Sequence, residues 1–171
     1  MVATLIALLL LIEAGKPTMC PGLDAPLVSP NARWSVECQP KPDNEPDSPH
    51  KIVLRDARSG TREDLRSFGR WTTLSWSPAG DRIAITDGEG SDVTNSFVYT
   101  PGKPTLVLDV FELLRQQEAA SRLGVLKGKD HVYVEVIKRT DNEHLKIRLW
   151  GHGGGAPFDR QFTVLIPRAP G

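Results

Sequence analysis

Apolar and polar residues alternate along much of this chain in short runs that stop at Gly, Pro, Asp or Asn, the rhythm of an antiparallel sheet. Runs at Arg33–Gln39, Lys51–Asp56, Thr72–Ser77, Arg82–Thr86 and Ser96–Thr100 predict strands. A longer pair, His131–Arg139 and His144–Trp150, flanks the polar tetrad Thr140, Asp141, Asn142 and Glu143. Val132, Val134 and Val136 share one face of its first strand, and Leu145, Ile147 and Leu149 share one face of the second, so a hairpin is expected. Gln161–Ile166 reads as a closing strand, and the proline- and acid-rich stretch from Pro40 to Pro49 as an exposed loop.

The period changes once. Asp109, with Glu112 three residues later, is an acidic capping box, and Val110, Phe111, Leu113, Leu114 and Leu123 fall on one broad face before Gly124. This spacing predicts a single helix over 109–123, packed by its apolar stripe onto the sheet. Docking of a partner on that stripe is the less common use of such a face.

The N-terminus carries an unbroken apolar run from Val2 to Ile12. Its length matches the central region of a secretory signal and falls short of a membrane span. Cleavage after Ala14 is expected, giving a periplasmic or secreted protein with no stable membrane insertion after processing. The other readings are a buried N-terminal strand or a mis-chosen start codon. The organisation that follows is a signal peptide at 1–14, a leader at 15–27, one β-rich domain over 28–167 and a tail at 168–171. Cys20 and Cys38 are the two cysteines of the chain, an even count that export would let pair as a disulfide, worth roughly 3 kcal/mol. Two unrelated thiols are the alternative.

Composition narrows the partners. The 171 residues hold 21 basic and 21 acidic side chains, for a formal net charge of zero. No strong positive field is present to draw nucleic acid or an anionic membrane. No CxxC or HxxxH spacing is present for a closed metal site, so no metal or cofactor is expected.

An internal repeat is the most informative feature. Ser29-Pro30-Asn31-Ala32-Arg33-Trp34 and Ser77-Pro78-Ala79-Gly80-Asp81-Arg82 start 48 positions apart, within the 40–50-residue range of stacked four-stranded blades. Trp76-Ser77-Pro78-Ala79-Gly80-Asp81-Arg82-Ile83-Ala84-Ile85 resembles the W-S-P-D-G-K-R-I-A-F signature of TolB-like β-propeller blades. Ile52 to Gly60 resembles the strand and D-x-x-x-G turn that precede it there. The likeness extends over Ser29–Thr86, with alanine at 79 in place of the family's acid and at 32 in place of its glycine. It implies an exported scaffold that binds proteins through loops and a central face, with no shared catalytic residues. The stretch from Val28 to Pro167 spans less than three periods of 48, too few for a closed propeller. The expected fold is therefore all-β, mainly antiparallel, with one helix: an incomplete propeller or open sandwich of two to three blade-like sheets.

Four constellations invite chemistry. Trp150-Gly151-His152-Gly153-Gly154-Gly155 contains the HGGG of lipase oxyanion holes, but no G-x-S-x-G accompanies it, and a hairpin exit loop is the plainer reading. Asp87-Gly88-Glu89-Gly90-Ser91-Asp92 offers three carboxylates without calcium-loop spacing, which favours a solvated turn. His131 and His152 meet if the hairpin is in register, giving two nitrogen ligands and no third. Trp34 and Trp76 sit at packing positions, whereas Trp71 and Trp150, with His152, are the candidate binding residues. The expected function is non-catalytic recognition of a protein or envelope component by a monomer or weak oligomer. The alternative is a small hydrolase or metal-dependent enzyme using His131, His152 and the Asp87 loop.

Overall fold

Each alternating run forms a strand, and four further strands form where the sequence carries no clear alternation. The computed structural model describes residues 17–20, 23–45, 47–102 and 104–168; the apolar run at 2–12, the cut after Ala14 and tail residues 169–171 lie outside them. In chain order the strands are β1 (Thr18–Cys20), β2 (Leu27–Val28), β3 (Trp34–Gln39), β4 (His50–Asp56), β5 (Arg62–Phe68), β6 (Trp71–Trp76), β7 (Ile83–Gly88), β8 (Val93–Thr100) and β9 (Leu106–Asp109), then β10 (His131–Arg139), β11 (His144–His152) and β12 (Phe158–Leu165). The segment read as a leader thus supplies β1 and the first residue of β2.

Two sheets make an all-β open sandwich. One is an antiparallel meander, β2-β3-β4-β5; the other runs β1-β6-β7-β8-β10-β11-β12, with β9 paired to β8. The junction of β8 and β10, at Val93↔Val132 and Thr94↔Tyr133, is parallel. β6, β7 and β8 are the middle layer. The pleat sends Leu74, Ile83, Ile85 and Tyr99 to one side, where they join Trp34, Val36, Ile52, Leu54, Phe68 and Trp76 in a core shared with the first sheet. It sends Ala84 and Val98 to the other, where Val134, Val136, Ile147, Leu149 and Phe162 complete a second core.

Buried hydroxyls fasten the second core. Past its first residues β10 leaves β8 and crosses the middle layer, so backbone partners must come from elsewhere. Ser96 Oγ donates to Val134 O at 2.7 Å, Val136 N donates to Thr86 Oγ1 at 3.1 Å, and the two hydroxyls lie 2.8 Å apart. These side chains stand in for a missing strand.

The expected helix is split. Asp109 caps its start, its carboxylate accepting from the N–H groups of Phe111 and Glu112. α1 (Val110–Gln117) then ends because Glu118 turns extended, and α2 (Ala120–Leu123) passes into a 3-10 turn over Gly124–Leu126. The break lets the Gln117 amide reach β12, donating to Leu165 O at 2.7 Å and accepting from Leu165 N at 2.8 Å. One side chain thereby occupies both outward main-chain groups of an edge residue, blunting that end of the edge against pairing. Val110, Leu113 and Leu114 are buried beneath α1.

The duplicated segments have matching backbone geometry. Ser29 N donates to Trp34 O and Ala32 N to Ser29 O, each at 2.8 Å; Ser77 N to Arg82 O and Gly80 N to Ser77 O repeat this, also at 2.8 Å. Ser29 Oγ accepts from Trp34 N as Ser77 Oγ accepts from Arg82 N. Trp34 and Trp76, both buried in one core, are not equivalents within this repeat: Trp34 corresponds to Arg82, and Trp76 to Val28. The turns also touch. Asn31 Nδ2 donates to the carbonyls of Ala79 and Gly80 at 3.0 Å, and Ala79 N donates to Asn142 Oδ1 at 2.8 Å. Three strand-joining turns therefore stack at one end of the molecule.

A disulfide joins Cys20 to Cys38 across a Cα separation of 5.9 Å. Cys20 lies in β1 and Cys38 in β3, so the bond ties the edge of the large sheet to the meander. Cys20 is fully buried.

The matched turns differ in one strained residue. Ala32 adopts φ +55° where Gly80 adopts φ +69°. The left-handed conformation costs a residue with a Cβ about 1–2 kcal/mol, against about 0.5–1 kcal/mol of extra chain entropy for glycine. Ala32→Gly is therefore expected to stabilise by about 0.5–1 kcal/mol in urea unfolding. Gly80→Ala is expected to destabilise by about 2 kcal/mol or more, because its Cβ would also lie 2.8 Å from Asn31 N. Equal and small effects at both positions would show that the left-handed conformation carries no strain in these turns.

Candidate functional site

β10 and β11 are amphipathic, and their second face is where the candidate residues gather. Val134, Val136, Ile147 and Leu149 point into the core, so the pleat turns His131, Tyr133, Glu135, Arg148, Trp150 and His152 outward. The register pairs His131 with His152, Tyr133 with Trp150 and Glu135 with Arg148. The hairpin reading put His131 near Trp150 or His152, and the pairing agrees.

These side chains form a stacked ladder. The His131 and His152 rings lie 4.4 Å apart between centroids, and Tyr133 and Trp150 lie 3.9 Å apart with a 14° interplanar angle. The Arg148 guanidinium lies 5.2 Å from the centre of Trp150. It is fixed there by Asp159 on β12, with Nη2–Oδ2 at 2.7 Å and Nε 3.1 Å from both oxygens. The Arg148 hydrogen bond in turn holds the Asp159 carboxyl below the usual carboxylate range. Stacking and cation–π contact each contribute about 0.5–1 kcal/mol at such sites, enough to keep the aromatic faces in one arrangement.

The loop after β7 closes one side. The Tyr133 hydroxyl donates to Ser91 O at 2.6 Å, which leaves His152 Nε2 as the donor in the 3.3 Å contact to the same oxygen. His131 Nδ1 lies 3.1 Å from Asp92 Oδ1, yet off the line that a hydrogen bond needs. On the other side Trp150, Gly151, His152, Pro157, Phe158 and Asp159 border a cleft of about 330 Å³.

Trp71 is set apart from this ladder. It stands opposite Gly88 and lies so close over it that a Cβ there would come within 2.4 Å of the indole. It is half-buried, and the loop from Gly88 to Asp92 runs from beneath it to Tyr133 and His131. Trp150 and His152 come together; Trp71 stands at the root of the loop that braces them.

The acidic loop does not assemble a cation cage. Asp87 is buried, and its Oδ2 meets Arg66 Nε at 2.5 Å while Glu89 meets the same guanidinium. Asp92 turns to His131. Among the described residues no three His, Cys, Asp or Glu side chains converge as metal ligands. The glycine-rich run is likewise filled. Gly154 approaches Gly128 so closely that a Cβ would lie 1.5 Å from its carbonyl oxygen, and Lys129 Nζ donates to Ala156 O at 2.5 Å. It joins β11 to β12 as a loop whose backbone lies against Gly128.

The ladder can stack, hydrogen-bond and bind charge. Ser91 Oγ donates to Asp92 Oδ1 at 2.9 Å, a different acceptor from the imidazole that activates the serine of a catalytic triad. Tyr133 and Arg148 were not singled out in the sequence, although the alternation that buries Val134 and Val136 already places position 133 on the opposite face against Trp150, where its neighbours cover it to 6% exposure. Ser91 and Asp92 belong to the acidic loop singled out in the sequence, but nothing there indicated that Ser91 would meet Tyr133. No family model matches the chain, and no curated protein or solved structure matches it.

Burial pushes the Asp87 carboxyl above the usual carboxylate range, with Arg66 pulling the other way. A carboxyl raised in the folded state binds protons more tightly there than when unfolded. Its contribution to stability is thus full at low pH and lost as pH rises through the window just above 3.8. Denaturant unfolding of wild type and Asp87→Asn across that window is expected to show the wild type losing ground to the variant as pH rises. A relative gain would mean that the ion pair outweighs burial.

Proposed function

We propose that this chain is an exported, non-catalytic binding protein, periplasmic or secreted, whose TolB-like repeats form a scaffold that recognises a protein or cell-envelope component. The observation that carries this reading is the outward ladder of Tyr133, Trp150, Arg148 and His152, already stacked and braced before any partner arrives. Ordering each rotamer-rich side chain at an interface costs about 0.5–1.5 kcal/mol, and here the order is built in. Aromatic and arginine side chains so held are the usual anchors of protein recognition. The Cys20–Cys38 disulfide fits an oxidising compartment, and no helix among the described residues is long and apolar enough to cross a membrane. The balanced charge argues against nucleic acid, and no cofactor enters the reading.

One observation favours the alternative of a small hydrolase or metal-dependent enzyme: His131, His152 and Asp92 are neighbours. Of the Asp87 loop on which that alternative rested, Asp87 and Glu89 are committed to Arg66 and Asp92 alone reaches the histidines, so binding remains the better account.

A pull-down with the processed protein from envelope extracts under non-reducing conditions is expected to recover a stoichiometric companion. Trp150→Ala, folded and with its disulfide intact, is expected to lose it by tenfold or more. Recovery of no companion, or equal recovery by the variant, would overturn the recognition role. Mass spectrometry of the same material is expected to lack Met1 and to show no alkylatable thiol.

A further inference from the structure

Arg82 and Arg139 are the anomaly of this molecule. Each is an arginine sealed in the protein, 5% and 1% exposed. Arg82 Nη1 donates to Ile166 O at 3.3 Å, and Arg139 Nη2 donates to Asn142 O at 3.0 Å. Arg82 Nε and Arg139 Nε and Nη1 are buried with no partner. The guanidiniums lie near enough that the Arg82 charge, after burial itself, weakens Arg139's hold on its proton.

The neighbouring carboxylates are engaged elsewhere. Asp81 accepts from Ser77 Oγ at 2.6 Å, Glu143 pairs with Arg168 at 2.5 Å, and Asp141 accepts from the N–H groups of Glu143 and His144 and contacts the His144 ring. Asp81 and Asp141 support the Arg139 charge from a distance, but no carboxylate among the described residues makes an ion pair with either guanidinium. Such an arrangement costs several kcal/mol per ion unless something compensates it.

A cavity of about 400 Å³ opens beside them, bordered by Asp81, Arg82, Thr100, Asn142, Glu143 and Arg168. It lies between the Ser77–Arg82 turn, the tip of the β10–β11 hairpin and the segment after β12, at the opposite end of the hairpin from the aromatic ladder. Because Asn142 Oδ1 already accepts from Ala79 N, the Asn142 amide is left as a donor.

We propose that this cavity binds a small oxyanion, a carboxylate or a phosphate, held by the Arg82 guanidinium with help from Asn142 and Thr100, and that Arg139 supplies supporting positive charge from behind. Guanidinium geometry suits both anions. The bound charge would neutralise Arg82 directly and relieve Arg139 through it.

The test is thermal unfolding of the full chain at pH 7 in sodium chloride, sodium phosphate and sodium acetate at matched ionic strength. Anion binding to the folded state raises the midpoint in a saturable, concentration-dependent way, and a rise of a few degrees over chloride is expected for phosphate, acetate or both. The two salts separately distinguish a phosphate from a carboxylate site. Arg82→Met is expected to abolish the rise and Arg139→Met to reduce it. In chloride each variant should match or exceed the wild type, having lost an uncompensated charge, so the order of stabilities reverses between salts. A midpoint that follows ionic strength alone, or the same rise in Arg82→Met, overturns the proposal. Should Arg82→Met fail to fold, titration of wild type followed by arginine Nε–Hε NMR signals decides the matter. A saturating shift at Arg82 supports the site, and no shift overturns it.

Discussion

Strand β7 is buried along its whole length, and this one constraint organises the rest of the molecule. A strand with both faces covered must feed two cores at once, and the pleat divides its side chains between them: Ile83 and Ile85 to the meander side, Ala84 and Thr86 to the helix side. Neither core closes without it. The first needs β3, β4 and the disulfide to bring the meander down onto Ile83 and Ile85. The second needs β10 to cross over the middle layer, and the hydroxyls of Thr86 and Ser96 supply the hydrogen bonds that the crossing takes away from β10. A hydroxyl buried in an apolar core is costly unless bonded, so these two residues fix where β10 can lie as well as allowing it to lie there.

The stacked turns set the second level of order. Ser29 and Ser77 each close a turn on themselves through both backbone and hydroxyl, and Asn31 and Asn142 bond to the second turn from either side. Three strand pairs are thereby aligned at one end, which fixes how the hairpin of β10 and β11 is presented at the other. Arg82 occupies the repeat position that Trp34 fills in the first unit. Replacing a buried indole by a guanidinium is what leaves a charged seam beside the hairpin tip.

The two ends of that hairpin consequently have opposite characters. Near residues 131 and 152 the outward face is aromatic, stacked and braced by Ser91. Near residues 139 to 144 it is polar and carries buried positive charge. The register shifts between these ends, at Val136 to Lys138, so that Arg139 pairs with Leu145 and lies buried beside the tip, on the other side of the bulge from Tyr133 and Trp150.

Much of this was written in the sequence. Period-two alternation located β3, β4, β6, β7, β8, β10, β11 and β12, because burial of one face needs no knowledge of the partner, and Asp109 marked the helix start because a cap acts within one turn. The repeat between Ser29 and Ser77 foretold two like turns. What lacked a local signal needed the tertiary structure. β5, with its Arg-Glu-Asp run, is a strand only because β4 offers a ladder at an edge where charge is tolerated. The helix broke at Glu118 because Gln117 is used by β12, a contact 48 residues away in sequence. The bracing of Tyr133 and His131 by Ser91 and Asp92, and the meeting of Arg82 with Arg139, join residues whose neighbours in the chain say nothing of one another. Local pattern determines which face of an element is buried; only the packed chain determines what that face, or the one opposite it, meets.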